Sequence, residues 1–331
     1  MESYSETLKR QQPIVYRTLS NALKQDRLSH SYLFSGPKGS GKKQAAFLLA
    51  QSLVCLENRG GFACEKCANC LRVKENNYSD LIYVQAKTNT IRLQDLETIK
   101  ERFDKTALEV AGKKIFIIND CEKLTFQAAN SLLKFIEEPT NNLTGIFLTS
   151  QVENVLPTIV SRCQNVNFRP LSKEDFYEYG LTLDISESTC HIISQLVSSK
   201  EEMETYKDSK TFAFGLNAFK DFMSDYLDND YEAFIELQDD FTKQKKLDDK
   251  SLREAIGAFL DTGLIFLQDY LSNYQSKDED YQQLLLKAKN NNSFDCSYFM
   301  KVFAECNDNL KKAANGLLCI DRLLYRLREK E

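Results

Sequence analysis

The stretch SGPKGSGKKQAA, Ser35 to Ala46, holds the key to the fold. It follows the apolar run SYLFS (Ser31 to Ser35) and leads into a helical pattern from Gln44 to Val54, and Gly36, Gly39, Gly41 and Lys42 fit G-x-x-x-x-G-K. Glycines let backbone N–H groups curl around phosphates at a helix N-terminus, and the lysine reaches the terminal phosphates. Such a loop normally ends in a serine or threonine whose hydroxyl binds Mg²⁺. Here that position is Lys43, whose ammonium cannot coordinate a cation. A solvated, glycine-rich turn without ligand is the plainer reading of the same residues.

Outward from the loop, SYLFS is joined by LIYV (Leu81 to Val84), IFII (Ile115 to Ile118) and GIFLTS (Gly145 to Ser150). Apolar strands alternating with amphipathic helices predict a parallel sheet covered on both faces. Leu96, Ile99 and Phe103 share one helical face. Thr125 is placed to cap the next helix, in which Phe126, Ala129, Leu132, Leu133 and Ile136 form an apolar stripe and which Pro139 stops. Beyond about Pro170 the period is helical, first in a short block (170–214) and then in a longer one (215–331) that includes SLREAIGAFLDTGLIFLQDYL, Ser251 to Leu271. The expected class is α/β plus all-α: a P-loop parallel-sheet domain over residues 1–169, then a small and a larger helical domain.

Phosphate-loop ATPases carry, at the end of the strand corresponding to IFII, an aspartate for Mg²⁺ and a glutamate that orients the attacking water. This chain has Asn119 and Asp120 there. Asn119 is neutral, and Asp120 is one methylene shorter than glutamate. Together with Lys43 they predict a pocket that keeps the shape for ATP, lacks ligands for Mg²⁺ and turns nucleotide over poorly.

Hydrophobic residues make up 42% of the 331, enough to bury the cores of two or three domains. The formal charge of −5, with acids and bases mixed, argues against a stand-alone nucleic-acid binder. No apolar run approaches the roughly 18 residues that span a bilayer, and no signal-peptide pattern opens the chain, so a cytoplasmic setting with reduced thiols is expected. Cys55, Cys64, Cys67 and Cys70 are spaced C-x8-C-x2-C-x2-C. Four thiolates on such a turn suit a closed, structural Zn²⁺ site; disulfides are the alternative. Cys121, Cys163, Cys190, Cys296, Cys306 and Cys319 lack ligand spacing and read as buried hydrophobes, and His30 and His191 stand isolated, suggesting no catalytic pair.

A phosphate loop, a four-cysteine knuckle, AANSLLKFIEEP (Ala128 to Pro139) and LPTIVSRC (Leu156 to Cys163), in that order, resemble bacterial clamp-loader subunits of the AAA+ class over about the first 170 residues. The resemblance implies an AAA+ domain followed by a lid (170–214) and a C-terminal collar (215–331). It also implies a place in the DNA polymerase III holoenzyme at the nucleoid: tau/gamma ATPase subunits and a delta subunit join this chain in a hetero-pentamer that loads the sliding clamp on primer-template DNA. In that family the serine-arginine-cysteine motif lends an arginine finger in trans, a role that falls on Arg162 between Ser161 and Cys163, and Thr149 with Ser150 matches the first sensor position. A guanidinium supplied this way neutralises charge on a transferring phosphoryl group; an arginine in an internal surface ion pair is the alternative. A hydrolysing member would carry threonine at 43 and Asp-Glu at 119 and 120, so the departures imply a stator that is not catalytic by itself.

Two other classes remain open to the sequence. An active AAA+ ATPase, of tau/gamma or helicase-loader type, needs a working Mg²⁺ site. A zinc-dependent nucleic-acid module needs basic residues at the knuckle, where Arg59, Lys66, Arg72 and Lys74 are offset by Glu57, Glu65 and Glu75.

Overall fold

Tyr32, Leu33 and Phe34 have no exposed surface, as a strand covered on both faces requires. They belong to a computed structural model that describes residues 3–57, 61–86, 89–103, 107–137, 142–228, 232–243, 248–312 and 315–328. The chain divides into two compact units, residues 1–171 and 172–331.

The first unit holds a parallel sheet of β1 (Ser31–Ser35), β2 (Leu81–Val84), β3 (Lys114–Ile118), β4 (Leu143–Thr149) and β5 (Gln164–Asn167), in the order β2-β3-β4-β1-β5. The four apolar runs are all strands. The fifth, QNVN, has no apolar run because it is an edge strand with only Val166 buried. Before β1 come two helices, α1 (Tyr4–Gln11) and α2 (Pro13–Lys24). Ser3 and Glu6 form a capping box on α1, and Pro13 starts α2.

The remaining helices of this unit are α3 (Lys42–Val54), α4 (Ala68–Lys74), α5 (Glu97–Phe103), α6 (Phe126–Glu137) and α7 (Pro157–Val160). Alternation along the strands divides the core. Tyr32, Phe34, Ile115, Ile117, Ile146 and Leu148 pack with α2, α3 and α4 on one face, while Leu33, Phe116, Ile118 and Phe147 pack with α5, α6 and α7 on the other. The Thr125 hydroxyl accepts from the Ala128 N–H at 3.3 Å, and Ala129, Leu132 and Ile136 are buried. Phe126 is a correction to the expected stripe: at the first position of α6 it is 68% exposed. Leu96 and Ile99 are buried; the Phe103 side chain and Pro139 lie outside the described residues.

Because the strands are parallel and in register, with Ser35 opposite both Thr149 and Asn167 and Ile118 opposite Phe147, their C-terminal ends share one edge of the sheet. The loops that leave them meet there, as ligand sites in open α/β sheets do.

The second unit is helical: α8 (Lys173–Gly180), α9 (Glu187–Leu196), α10 (Lys200–Asp208), α11 (Lys210–Leu227), α12 (Ala233–Lys243), α13 (Asp249–Ser272), α14 (Glu279–Asn290), α15 (Cys296–Lys311) and α16 (Gly316–Arg328). Its centre is aromatic, with the Phe219 ring 5.8 Å from Phe259, 5.5 Å from Phe266 and 6.1 Å from Phe303. The boundary expected at residue 214 falls inside the continuous helix α11, and both helical blocks lie within this unit. His191 is a second correction, since it is not isolated in space. Its Nε2 lies 2.9 and 3.1 Å from the two oxygens of buried Asp269, which also accepts from the Tyr281 hydroxyl at 2.8 Å, and the Tyr274 ring stacks on the imidazole at 4.0 Å. The six cysteines outside the knuckle are all buried, as small hydrophobes should be.

Candidate functional site

Gly36 is forced by the turn out of β1. Its φ is 149°, and a Cβ there would lie 2.4 Å from the Phe168 carbonyl oxygen, which belongs to the segment leaving β5. Gly41 then enters α3 in the left-handed region, at φ 85°. The loop wraps its own lysine: Lys42 Nζ donates to the carbonyls of Gly36 and Pro37, both at 2.6 Å, and reaches Ser40 Oγ at 3.4 Å. Burial lowers the pKa of this ammonium to about 8, against the opposing pull of Glu122 and Asp120. Lys43 turns outward instead, its Nζ 5.0 Å from the centre of the Tyr83 ring. Gln12 ties the loop to the segment leaving β5 by donating to the carbonyls of Ser40 (3.1 Å) and Arg169 (2.7 Å).

Beyond β3, the Asn119 N–H donates to the Val84 carbonyl at 2.8 Å. Asp120 adopts a left-handed conformation (φ 54°) and its Oδ2 accepts from Lys123 Nζ at 3.2 Å. Thr149 is buried, and its hydroxyl accepts from the Gln151 N–H at 3.0 Å. The acid with most influence on Lys42 is Glu122, which no spacing had singled out. One of its oxygens accepts from the Ser150 N–H at 3.3 Å; the other, buried, has no hydrogen-bond partner among the described residues. The structure therefore brings Gly36, Gly39, Gly41, Lys42, Asp120 and Thr149 to one sheet edge and adds Gln12 and Glu122. The two expected metal positions hold an ammonium (Lys43) and a neutral amide (Asn119), and the water-orienting position, Asp120, is paired with Lys123.

The knuckle follows α3. Cys55 caps that helix, Cys64 and Cys67 lie on the turn, and buried Cys70 is on α4. The four sulfurs all lie within 4.8 Å of one another, with Cys55–Cys67, Cys64–Cys70 and Cys67–Cys70 at 3.9, 4.0 and 3.4 Å. A tetrahedral ion with metal–sulfur bonds of about 2.3 Å needs sulfurs about 3.8 Å apart, so the set fits such an ion, whereas a disulfide needs about 2 Å. Burial raises the thiols of Cys55 and Cys70; at Cys67 burial is outweighed by hydrogen bonds from the backbone and from Cys70, which bring it down to about 6. Three of the charged residues around the knuckle, Glu65, Arg72 and Lys74, are engaged inside the unit. The Glu65 carboxylate accepts from the Tyr4 and Ser5 N–H groups at 2.7 and 2.9 Å, capping α1. Arg72 grips Glu109 at 2.6 and 3.0 Å, and Lys74 Nζ lies 5.6 Å from the Tyr4 ring centre. Arg59 lies outside the described residues.

Arg162 follows α7. Its Nε lies 2.8 Å from Glu137 Oε1, and both side chains keep more than two fifths of their surface exposed, at 41% and 45%. The expected finger is therefore in an internal ion pair, on an open face.

A parallel sheet with a glycine-rich loop between β1 and α3 defines a P-loop α/β unit, here carrying a four-cysteine knuckle and a turn on which Ser161 and Arg162 are exposed. Over residues 11–172 the chain matches the family described as DNA polymerase III, delta subunit. The delta′ subunit of Bacillus subtilis DNA polymerase III is 39% identical over 202 residues, which are 61% of this chain and 61% of that protein. The tau subunit of the same organism is 34% identical over 160 residues, 48% of this chain and 28% of tau, so the chain spans less than two thirds of either relative. The solved structure of a gamma subunit-related protein from Thermotoga maritima overlaps 99% of this chain at 19% identity and a TM-score of 0.37.

Proposed function

We propose that this chain is the delta′-type stator of a DNA polymerase III clamp loader, joining ATPase subunits and a delta subunit in a five-membered ring that places the sliding clamp on primed DNA. Its contribution is Arg162, lent to a neighbour's ATP, and it hydrolyses little or no ATP itself. The observation that carries this reading is one unit that combines an open, exposed guanidinium with a phosphate loop filled by its own Lys42 and stripped of metal ligands. An exposed ion pair is worth only about 0.2–1 kcal/mol, so Glu137 does not prevent Arg162 from engaging a triphosphate. Similarity to both delta′ and tau supports the setting. The cytoplasm fits a chain in which no described helix is long and apolar enough to cross a membrane.

The four cysteines hold structural Zn²⁺ in this reading, with no position left open for chemistry. The helical unit supplies the lid and the collar. An active ATPase is disfavoured by Lys43 and Asn119, which remove the loop hydroxyl and the carboxylate that would hold Mg²⁺. A nucleic-acid module is disfavoured because Arg72 and Lys74 are occupied within the unit.

The test is reconstitution with ATPase and delta subunits. R162A should assemble normally yet lower ATP turnover at the neighbouring site by about 10³-fold, the scale of a guanidinium supplied in trans to a GTPase. Unchanged turnover and clamp loading would refute the assignment, and zinc-free protein that is folded would refute the metal.

A further inference from the structure

We infer that Glu137 is a positioning residue for Arg162, setting the plane and direction of the guanidinium before a neighbour's triphosphate meets it. The inference rests on the reading of Arg162 as a group that acts in trans. Glu137 ends α6, and its carboxylate lies 2.8 Å from Nε, the guanidinium nitrogen nearest the stem. On the other side, Nη1 donates to the Thr158 carbonyl at 3.3 Å and reaches Ser161 Oγ at 3.4 Å, both on the turn that closes α7. A planar, rigid fork held at two separate nitrogens is fixed in orientation as well as position.

The strengths of the two anchors differ in a telling way. The short, charge-assisted contact is at the stem, where it does not occupy the terminal nitrogens that meet a phosphate end-on; the terminal contact is long and easily exchanged. Both side chains remain about two fifths exposed, so the group is oriented without being covered. A long side chain gives up much rotamer freedom when it engages a ligand, and one already oriented loses less at that step. Glu137 would then act on the rate at the neighbour's site without touching substrate.

The experiment compares the reconstituted complex carrying E137A, E137Q, R162A or E137A with R162A. E137A should lower kcat for ATP about two- to fivefold, the effect of an exposed ion pair converted to a rate, with KM for ATP and complex assembly unchanged. E137Q keeps an acceptor oxygen at Nε and should recover most of the loss, and E137A should add nothing once Arg162 is alanine. Normal kcat in E137A beside an impaired R162A sinks the inference alone. A raised kcat in E137A makes Glu137 a competitor for the guanidinium and overturns it, as does an equal loss in the R162A background. Normal kcat in R162A sinks the inference together with the function on which it rests.

Discussion

Removing the Glu65 carboxylate tests whether the cysteine knuckle holds down the N-terminal helix. In the structure this carboxylate accepts two backbone N–H groups, from Tyr4 at 2.7 Å and Ser5 at 2.9 Å, at the positive end of an eight-residue helix. Hydrogen bonds to a charged group are worth about 1.5–3 kcal/mol each, and partial exposure puts these at the lower end, giving about 2–3 kcal/mol for E65A. Glu65 has φ 59°, and alanine keeps that left-handed strain, so the substitution isolates the carboxylate. E65Q, which keeps one acceptor but no charge, should lose about half as much. At about 2–4 °C per kcal/mol for a unit of this size, E65A should lower Tm by roughly 4–12 °C. Thermal unfolding followed by circular dichroism measures the shift, and amide exchange at Tyr4 and Ser5 localises it. A Tm within about 1 °C of the parent, with unchanged exchange at both amides, would show that α1 does not depend on the knuckle.

Acid stability should report the pair between Arg72 and Glu109. The guanidinium's hydrogen bonds hold the Glu109 carboxyl at about 2 against an ordinary 4.5, so its contribution is present above pH 4.5 and lost as pH falls from there toward 2. E109Q should flatten that limb of a urea-unfolding pH profile, and an unaltered profile would contradict the pairing. In the helical unit, H191A leaves buried Asp269 short of a donor and should cost about 3–5 kcal/mol, whereas Y281F removes one hydrogen bond and should cost about 1 kcal/mol; urea midpoints in the reverse order would refute the network.

What was legible in the chain follows from how far each feature reaches. Four strands were readable because each is an apolar run, and the fifth was not because its edge position leaves three of four residues exposed. The knuckle was readable because C-x2-C steps bring thiols together over a single turn, whatever the rest of the fold does. Ser3 with Glu6 and Pro13 carry local start signals for α1 and α2, which the reading of the apolar runs passed over. The supporting residues left no local signal. Gln12 reaches Arg169 across 157 residues, Glu65 reaches Ser5 across 60, and His191 meets Asp269 across 78, so only packing reveals those pairs. Glu122 lay inside the run that drew attention to Asn119 and Asp120, yet its influence on Lys42 depends on the conformation of the turn after β3.

Phosphate release by the isolated chain, measured with saturating ATP and Mg²⁺, bears most directly on the central claim. A site with an ammonium at residue 43 and a neutral amide at 119 should release none above the buffer rate. Saturable, magnesium-dependent turnover on the order of 1 s⁻¹ would show a working motor and contradict the stator.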